Sequence, residues 1–350
     1  MTFAFSLFGM ISYFYSSNPL LSLWKGFEVF AAASVFLAIA SCIETLEDVD
    51  HAMNILWFIL LFLIITALIG GALQPSLAFV RQVFGQGSQA YEYWGIFPRI
   101  NPNSLTQFGA MVGTGGLIAL LYARNIIAIF TSTFVLALGG ITIYLGHSRT
   151  SLLGFLIVAI STLWFGKRRL LGFVVMLVGS IIATVAYTYL QEYVLRGQSK
   201  AVLLSMSGRT EFWPQVWEAF MESPIIGHGY YAGHRALTLT GLATVSSVDN
   251  TYLEVLVDLG TLGLAILLMA LTFSCLSLYS CRPYVTDPKT AEYWRPTWLL
   301  MIGCLMLVGI RSFTGPTFQV LHPNLLIFLA ISVCGASASR IISHSEQGRA

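Results

Sequence analysis

The sequence is poor in charged residues of either sign. Only 10% of its 350 residues are Asp, Glu, Lys or Arg, whereas 56% are hydrophobic. A soluble domain carries about 25% charged residues, so this composition excludes a soluble globular protein. The formal net charge of +2 also lacks the positive excess that a nucleic-acid-binding surface needs. We therefore predict no nucleic-acid partner.

Cysteine is scarce, and no pair of cysteines has the spacing of metal ligands. All five cysteines lie in apolar runs or at their ends, and we interpret them as small core residues. They are Cys42, Cys275, Cys281, Cys304 and Cys334. The sequence also lacks an internal repeat, a low-complexity tract and a basic leader with a small-residue cleavage site. We therefore expect no cleaved signal peptide.

Long apolar runs, in contrast, are abundant. A transmembrane helix needs about 20 mostly apolar residues, and the sequence contains about ten candidates. The predicted spans are 2–17, 26–43, 54–73, 104–122, 125–145, 151–166, 169–190, 251–281, 297–313 and 318–339. This pattern predicts an all-α polytopic transmembrane helix bundle that forms a single integral membrane domain over residues 1–350.

Basic residues in the short connections predict the orientation of the bundle. The Lys-Arg-Arg run at 167–169 separates the sixth and seventh predicted spans, and short loops rich in Lys and Arg remain on the cytoplasmic side. Alternation then places both termini inside. It places the segments 74–103, 147–151 and 191–250 on the outer side, together with the turns near Pro19 and Gly315.

Several arginines lie on this predicted outer side. Arg149 lies in a short Gly-His-Ser-Arg-Thr-Ser segment between two apolar runs, and Arg209 lies in a Ser-Gly-Arg segment of the long loop. Arginine is disfavoured in short outer loops. Its presence there is therefore evidence for a function. The planar guanidinium binds phosphate oxygens through two parallel hydrogen bonds. Arginines at these positions therefore indicate a lipid-phosphate ligand.

The outer loop of residues 191–250 is too long for a simple connection and contains the pattern of an amphipathic helix. The apolar stripe consists of Trp213, Val216, Trp217, Phe220 and Met221. Two interpretations remain open, a helix at the level of the lipid headgroups and a helix that packs on the bundle. Both place Arg209 just before the helix start, where backbone N–H groups favour phosphate.

Two polar residues end this loop, where the chain re-enters the membrane. Asp249 has a carboxylate that is able to accept a proton from a sugar hydroxyl, and Asn250 follows it directly. Asp and Asn are also among the best helix N-cap residues. Residue types alone favour the capping role.

Short motifs along the chain resemble those of one bacterial family. They are GIFPRINPNS at 95–104, SRTS at 148–151, SGR at 207–209 with Trp213 or Trp217, SPIIGHG at 223–229, and DNTYL at 249–253 with LGTLGL at 259–264. In this order they resemble the superfamily of O-antigen ligases and of O-antigen or exopolysaccharide polymerases. The motifs cover roughly residues 90–275, and hydropathy extends the resemblance to the rest.

The resemblance implies an all-helical glycosyltransferase of the bacterial inner membrane that acts on the periplasmic face. Such enzymes take a glycan from undecaprenyl pyrophosphate and join it to an acceptor glycan or glycolipid, without a metal ion or other cofactor. The ligase branch has a His directly before the Asn at the loop end, whereas Asp249 occupies that position here. We therefore expect a polysaccharide polymerase. The alternatives are a ligase that transfers glycan to lipid A core or protein, and a transporter of lipid-linked glycans.

The expected catalytic residues combine two cations with a general base. Arg149 and Arg209 correspond to the functional arginines of the family and would stabilise the leaving pyrophosphate. Asp249 is the first candidate for the base, and His228 and His234 follow it. The expected substrate-binding residues are Arg99, His147, Asn250, His234 and Arg311. Structural roles remain open for several of them, such as interfacial snorkelling for an arginine.

Overall fold

The computed structural model of the protein describes residues 2–83, 89–166, 177, 191, 209–239, 248–318 and 322–347. Most of these residues are helical. The helices are α1 (Thr2–Ile11), α2 (Pro19–Cys42), α3 (Leu46–Leu73), α4 (Pro75–Ala78), α5 (Pro102–Tyr122), α6 (Ile126–Gly146), α7 (Arg149–Phe165), α8 (Arg209–Glu222), α9 (Ala232–Leu239), α10 (Thr251–Ser280), α11 (Arg282–Thr286), α12 (Pro288–Ser312) and α13 (Pro323–Gln347). A single 3₁₀ turn, Ser12–Phe14, follows α1.

Seven of these helices have the length and apolar composition needed to cross a membrane. They are α2, α3, α5, α6, α10, α12 and α13. The predicted spans at 2–17 and 151–166 correspond to the shorter apolar helices α1 and α7. The predicted span at 169–190 lies outside the described residues, apart from Leu177. These helices confirm the all-α polytopic fold class, while the single domain over residues 1–350 stays a prediction.

Asparagine begins four of the described helices. The side chains of Asn18, Asn101, Asn125 and Asn250 each accept a hydrogen bond from a backbone N–H group of the following turn. This interaction satisfies donors that the helix itself leaves without acceptors. Proline follows Asn18 and Asn101 directly, and its fixed φ favours the first helical position.

One compact unit comprises Met1–Val49, Leu204–Tyr284 and Val308–Ala350. It contains α1, α2, α8, α9, α10 and α13. Helix α8 packs on α10 through a cluster of buried apolar side chains, namely Phe212, Val216, Phe220, Val248 and Val257. This packing attaches part of the long loop to a membrane helix.

The other compact unit comprises Asp50–Leu203 and Val285–Leu307. Its central element is α5, which packs against α6 and α7. In an apolar stretch of 18 residues, 78% of the α5 residues are buried, compared with 22% of the α6 residues. A Cβ atom on Gly139 of α6 would lie only 2.7 Å from the Gly113 Cα of α5. Glycines therefore let these two membrane helices approach closely.

A small antiparallel hairpin, which the sequence analysis did not predict, precedes α5. Strand β1 (Phe79–Val83) pairs with β2 (Gln89–Tyr93). The Tyr93 hydroxyl donates to the Ala67 carbonyl at 2.6 Å, which joins the hairpin to α3. Strands of five residues carry a much weaker periodic signal than apolar spans of about 20 residues.

Candidate functional site

The turn between α6 and α7 consists of only two residues and leads into the predicted phosphate-binding arginine. His147 ends α6 in the left-handed conformation (φ 51°), and Ser148 is the N-cap of α7. Arg149 is the first residue of α7 and is half-buried. The sequence therefore places a cation at the N-terminal end of a helix, which is the end where the helix dipole favours anions.

Ser148 differs from the asparagine caps described above. Its side chain makes no capping hydrogen bond. Instead, its Oγ atom accepts from the Ser151 hydroxyl at 3.2 Å, and that hydroxyl also lies 3.4 Å from Oε1 of Gln107. Gln107 belongs to α5 and is only 1% exposed. Two serines and a buried amide thus form the polar surroundings of the α7 start.

His147 has the position of a helix-ending residue. Its left-handed backbone is the usual conformation at a helix C-terminus, and its Nδ1 atom lies 3.1 Å from the Leu145 carbonyl oxygen. The ring also lies against the Tyr144 ring, with 5.9 Å between the ring centroids. These contacts describe a structural role, and substrate binding by His147 stays a prediction.

Arg99 lies on a turn that connects the hairpin with α5. The guanidinium is exposed and lies over the Trp94 ring, 5.5 Å from its centroid. Gly95 (φ 66°) and a hydrogen bond from the Ile100 N–H to the Trp94 carbonyl (2.9 Å) shape this turn. A cation–π contact keeps the charge oriented while leaving its N–H groups accessible.

Helix α10 is broken at Gly260 (φ 65°, ψ −164°). The break lies against the segment of residues 224–229, which follows α8. A Cβ atom on Gly260 would collide with the Ile225 backbone, and one on Gly227 (φ 71°) would collide with the Asp258 backbone. Two glycines therefore permit a direct contact between two backbones. The PIIGHG and LGTLG motifs meet at this point.

The segment 224–229 replaces the helical hydrogen bonds that the break removes. Two amides after the break donate to carbonyls of the segment, and two carbonyls before the break accept from its amides. The bonds are Thr261 N to Pro224 O (2.8 Å), Leu262 N to Ile225 O (3.2 Å), His228 N to Val257 O (2.9 Å) and Gly229 N to Asp258 O (2.8 Å). Irregular backbone in a membrane helix is stable only when protein groups satisfy it in this way.

The same segment is held by the connection between α1 and α2. The Ser17 amide donates to the His228 carbonyl at 3.0 Å. The Tyr230 amide donates to the Ser12 hydroxyl at 2.9 Å, and the Ser22 hydroxyl donates to the Tyr230 carbonyl at 2.8 Å. Tyr230 is buried, and burial raises the pKa of its phenol. Hydrogen bonds thus join the end of this segment and the following residue, Tyr230, to the region around the start of α2.

His228 joins α8 to the break of α10. Its Nε2 atom lies 2.7 Å from the Ala219 carbonyl oxygen. A carbonyl oxygen only accepts, so Nε2 carries the proton and donates it. The backbone amide of His228 binds the Val257 carbonyl. The nitrogen available for general-base chemistry in this arrangement is therefore Nδ1.

His234 forms a buried ion pair that the sequence analysis did not anticipate. Its Nδ1 atom lies 2.9 Å from Oδ2 of Asp258, and both residues are only 3% exposed. Burial lowers the pKa of His234, but the adjacent Asp258 carboxylate raises it to about 8 overall. His234 is therefore charged at neutral pH, a state in which an imidazole does not act as a base.

Asp258 also holds the start of α9. Its two carboxylate oxygens accept from the backbone N–H groups of Tyr231 and His234, both at 2.8 Å. The signal for this residue was available in the sequence, because an acid inside an apolar span is a functional candidate by default. Only the structure reveals its partners, which lie more than 20 residues earlier in the chain.

The two residues at the loop end, Asp249 and Asn250, have different structural roles. The Oδ1 atom of Asn250 accepts from the amides of Tyr252 (3.0 Å) and Leu253 (3.2 Å), so Asn250 is the N-cap of α10. Asp249 precedes it in the left-handed conformation (φ 51°) and is half-buried. The capping role therefore belongs to Asn250, and the role of Asp249 as a general base stays a prediction.

Arg311 is buried at the end of α12 and is 7% exposed. Its Nη1 atom donates to the Thr314 carbonyl at 3.1 Å, and its guanidinium lies against Gly315. Thr251, the first residue of α10, donates to the Gly315 carbonyl at 2.8 Å. Burial and then the charge of Arg311 lower the pKa of His322 to about 4. Arg311 thus supports the turn that packs on the α10 start.

Arg209 is the first residue of α8, whereas the sequence analysis placed it just before that helix. Its side chain lies outside the described residues. The apolar stripe of α8 divides into two parts. Val216 and Phe220 are buried against α10, whereas Trp217 (50%) and Met221 (58%) are exposed. Trp213 packs against the same buried cluster. The packing interpretation therefore applies to Trp213, Val216 and Phe220, and not to the two exposed residues.

A comparison with protein families gives an independent result. A model of the O-antigen ligase family matches residues 132–268. This range contains Arg149, Arg209 and the broken part of α10, and it excludes Arg99 and Arg311. No curated protein matches the chain. The family match confirms the resemblance of this multi-pass protein to the superfamily of O-antigen ligases and polymerases over residues 132–268.

Proposed function

We propose that the protein transfers a glycan from undecaprenyl pyrophosphate to an acceptor sugar at the periplasmic face of the bacterial inner membrane. The reaction that we favour is the polymerisation of repeat units of O-antigen or exopolysaccharide. The observation that carries the proposal is Arg149, a half-buried cation at the first residue of α7. A guanidinium and helix N–H groups together suit a pyrophosphate.

The proposed reaction is a single displacement with inversion. An oxygen of the acceptor hydroxyl bonds to the anomeric carbon of the donor, while the bond from that carbon to the pyrophosphate oxygen breaks. The leaving pyrophosphate takes the electron pair and gains negative charge. Arg149 stabilises that charge in the transition state, and Arg209 is predicted to do the same, so no metal ion is required.

The acceptor hydroxyl loses its proton to a general base, for which Asp249 is the first candidate. His228 remains the second candidate through its Nδ1 atom, whereas His234 is engaged in an ion pair. Nε2 of His228 donates to a helix carbonyl, and Nδ1 of His234 faces the Asp258 carboxylate. Asp249 directly precedes the cap of α10, at the end of the long loop.

A ligase is the second candidate, and the family match is the observation that favours it. A ligase would transfer a completed glycan from the same donor to lipid A core or to protein. The leaving group and the role of Arg149 would be unchanged. The acceptor alone distinguishes the two reactions. The family match favours either of them over the transporter alternative.

One reaction tests both candidates. The purified protein in nanodiscs is incubated with an undecaprenyl-pyrophosphate-linked repeat unit and no other acceptor, and the products are separated by glycan length. A ladder of longer lipid-linked chains would support the polymerase. Donor that is consumed only after lipid A core or an acceptor protein is added would support the ligase. Donor that stays intact under each condition would contradict both.

A further inference from the structure

We propose that Gln107 is a further binding residue of the donor substrate, and that its side-chain N–H₂ group donates to a pyrophosphate oxygen at the start of α7. This inference rests on the proposed function, because it concerns the same pyrophosphate that Arg149 binds. It adds a neutral donor from a second helix, α5, to the cation of α7. None of the motifs discussed above contains Gln107.

The first observation is the burial of an amide donor that has no acceptor. Gln107 is 1% exposed, and its Nε2 atom has no hydrogen-bond partner among the residues that the structure describes. A buried donor without an acceptor is unfavourable, and such groups are rare in native proteins. An acceptor supplied by a ligand would remove this penalty.

The second observation is the direction of the side chain. Oε1 of Gln107 lies 3.4 Å from the hydroxyl of Ser151, which is the third residue of α7. The carboxamide therefore reaches the first turn of α7, where the helix presents N–H groups that lack intrahelical acceptors. The Ser148 side chain makes no capping hydrogen bond to this turn. A single anion at this helix start is able to accept from both helices.

The contact with Ser151 does not require the amide nitrogen. A glutamate or any other carbonyl-bearing side chain of the same length would accept from that hydroxyl equally well. The N–H₂ group is therefore the part of Gln107 that packing leaves without a role. Pyrophosphate, whose oxygens only accept, is a suitable partner for it.

The test compares two variants of this residue. Gln107→Glu keeps the carbonyl oxygen for Ser151 but loses the N–H₂ donor and repels an anion. Gln107→Met keeps the side-chain volume and loses both polar atoms. It replaces the glutamate variant in the test if that variant does not fold. Ser151→Ala removes the contact with Oε1 and leaves the donor. Thr114→Val is the matched control, because Thr114 is buried two turns further along α5 and donates to Ala110.

The measurement is the Kd of the full-length protein in nanodiscs for undecaprenyl pyrophosphate, with undecaprenyl monophosphate and inorganic pyrophosphate in parallel. A hydrogen bond to a charged group corresponds to about 10-fold or more in Kd. We expect both Gln107 variants to weaken undecaprenyl pyrophosphate binding by that factor, and Ser151→Ala and Thr114→Val to retain it. Inorganic pyrophosphate that shows the same pattern would identify the diphosphate itself as the recognised group.

The outcomes separate this inference from the function on which it rests. If Arg149→Lys weakens binding while the Gln107 variants bind as the wild type does, Gln107 is not a ligand-binding residue and the proposed function stands. If Ser151→Ala weakens binding as much as Gln107→Glu does, Gln107 acts through packing, which also overturns the inference. If the wild type itself does not bind undecaprenyl pyrophosphate, the proposed function fails.

Discussion

Nδ1 of His234 lies 2.9 Å from Oδ2 of Asp258, and the two side chains pair in a buried position. Asp258 lies two residues before the break at Gly260, and its carboxylate also accepts from the backbone at the start of α9. One acid therefore connects the loop that follows α8 to the broken membrane helix. The arrangement makes the docking of this loop sensitive to the charge of one histidine.

The His234–Asp258 pair predicts a pH-dependent stability. Because the folded-state pKa of His234 is about 8, above its usual 6.5, the pair stabilises the fold fully below pH 6.5. This stabilisation is lost as the pH rises through 8. A shift of this size corresponds to about 2 kcal/mol. Thermal unfolding between pH 6 and 9 should show the decline.

Two variants serve as controls for that measurement. Asp258→Asn removes the negative charge, so the buried imidazole becomes easier to deprotonate and the decline at high pH should disappear. His51→Gln changes an exposed histidine and should leave the pH profile of the wild type unchanged. An Asp258→Asn profile that still declines above pH 8 would contradict the role assigned to the pair.

The glycines at the contact between the segment 224–229 and α10 should be intolerant of substitution. Gly260→Ala and Gly227→Ala each place a methyl group against backbone at a positive φ. We expect each to destabilise the fold by about 1–3 kcal/mol or more. Gly140→Ala is the control, because nothing lies within 4 Å of a Cβ atom there. It should be neutral or stabilising by up to about 1 kcal/mol. Thermal unfolding in detergent measures all three.

Arg149 should require a guanidinium and not merely a positive charge. Arg149→Lys keeps the charge but loses the planar pair of donors, so we expect kcat/KM for glycan transfer to fall by about 100-fold or more. Arg124→Lys makes the same change at an arginine that is 75% exposed and pairs with Glu292, and it should retain activity. Full activity of a folded Arg149→Lys variant would contradict the proposed role.

Substitutions of Asp249 and of Asn250 should have different effects, the first on catalysis and the second on stability. Asp249→Asn tolerates the left-handed backbone and removes the carboxylate, so kcat should fall by about 100-fold or more with little change in stability. Asn250→Ala removes the cap of α10 and should lower stability by about 1 kcal/mol. Asn125→Ala removes a comparable cap from α6, and its effect should be confined to stability. An Asp249→Asn variant with wild-type kcat would show that another group acts as the general base.

The two sides of α8 should respond differently to truncation. Phe220→Ala deletes a buried ring that packs on α10 and should cost about 3–5 kcal/mol. Trp217→Ala deletes a ring that is half exposed, so its effect on the fold should be much smaller. Unfolding in detergent provides both values, and equal losses would show that Trp217 is also a packing residue.

Local properties of the chain were sufficient to predict the membrane helices. An apolar run of adequate length has no favourable alternative to a helix in a lipid bilayer, because only a helix satisfies the backbone within one segment. Asparagines before such runs likewise predict caps, and Asn250 occupies one. The hairpin before α5 was missed because its alternating pattern extends over only five residues in each strand.

Tertiary structure alone decided which groups meet. The break at Gly260 is stable because a segment about 30 residues earlier supplies four backbone hydrogen bonds. Asp258 lies in an apolar run in the sequence, and only the fold brings His234 beside it. The packing of α5 on α7 likewise places the Gln107 carboxamide at the first turn of α7. Apolar length acts within one segment and is visible in the sequence, whereas hydrogen bonds between distant segments depend on how the helices pack.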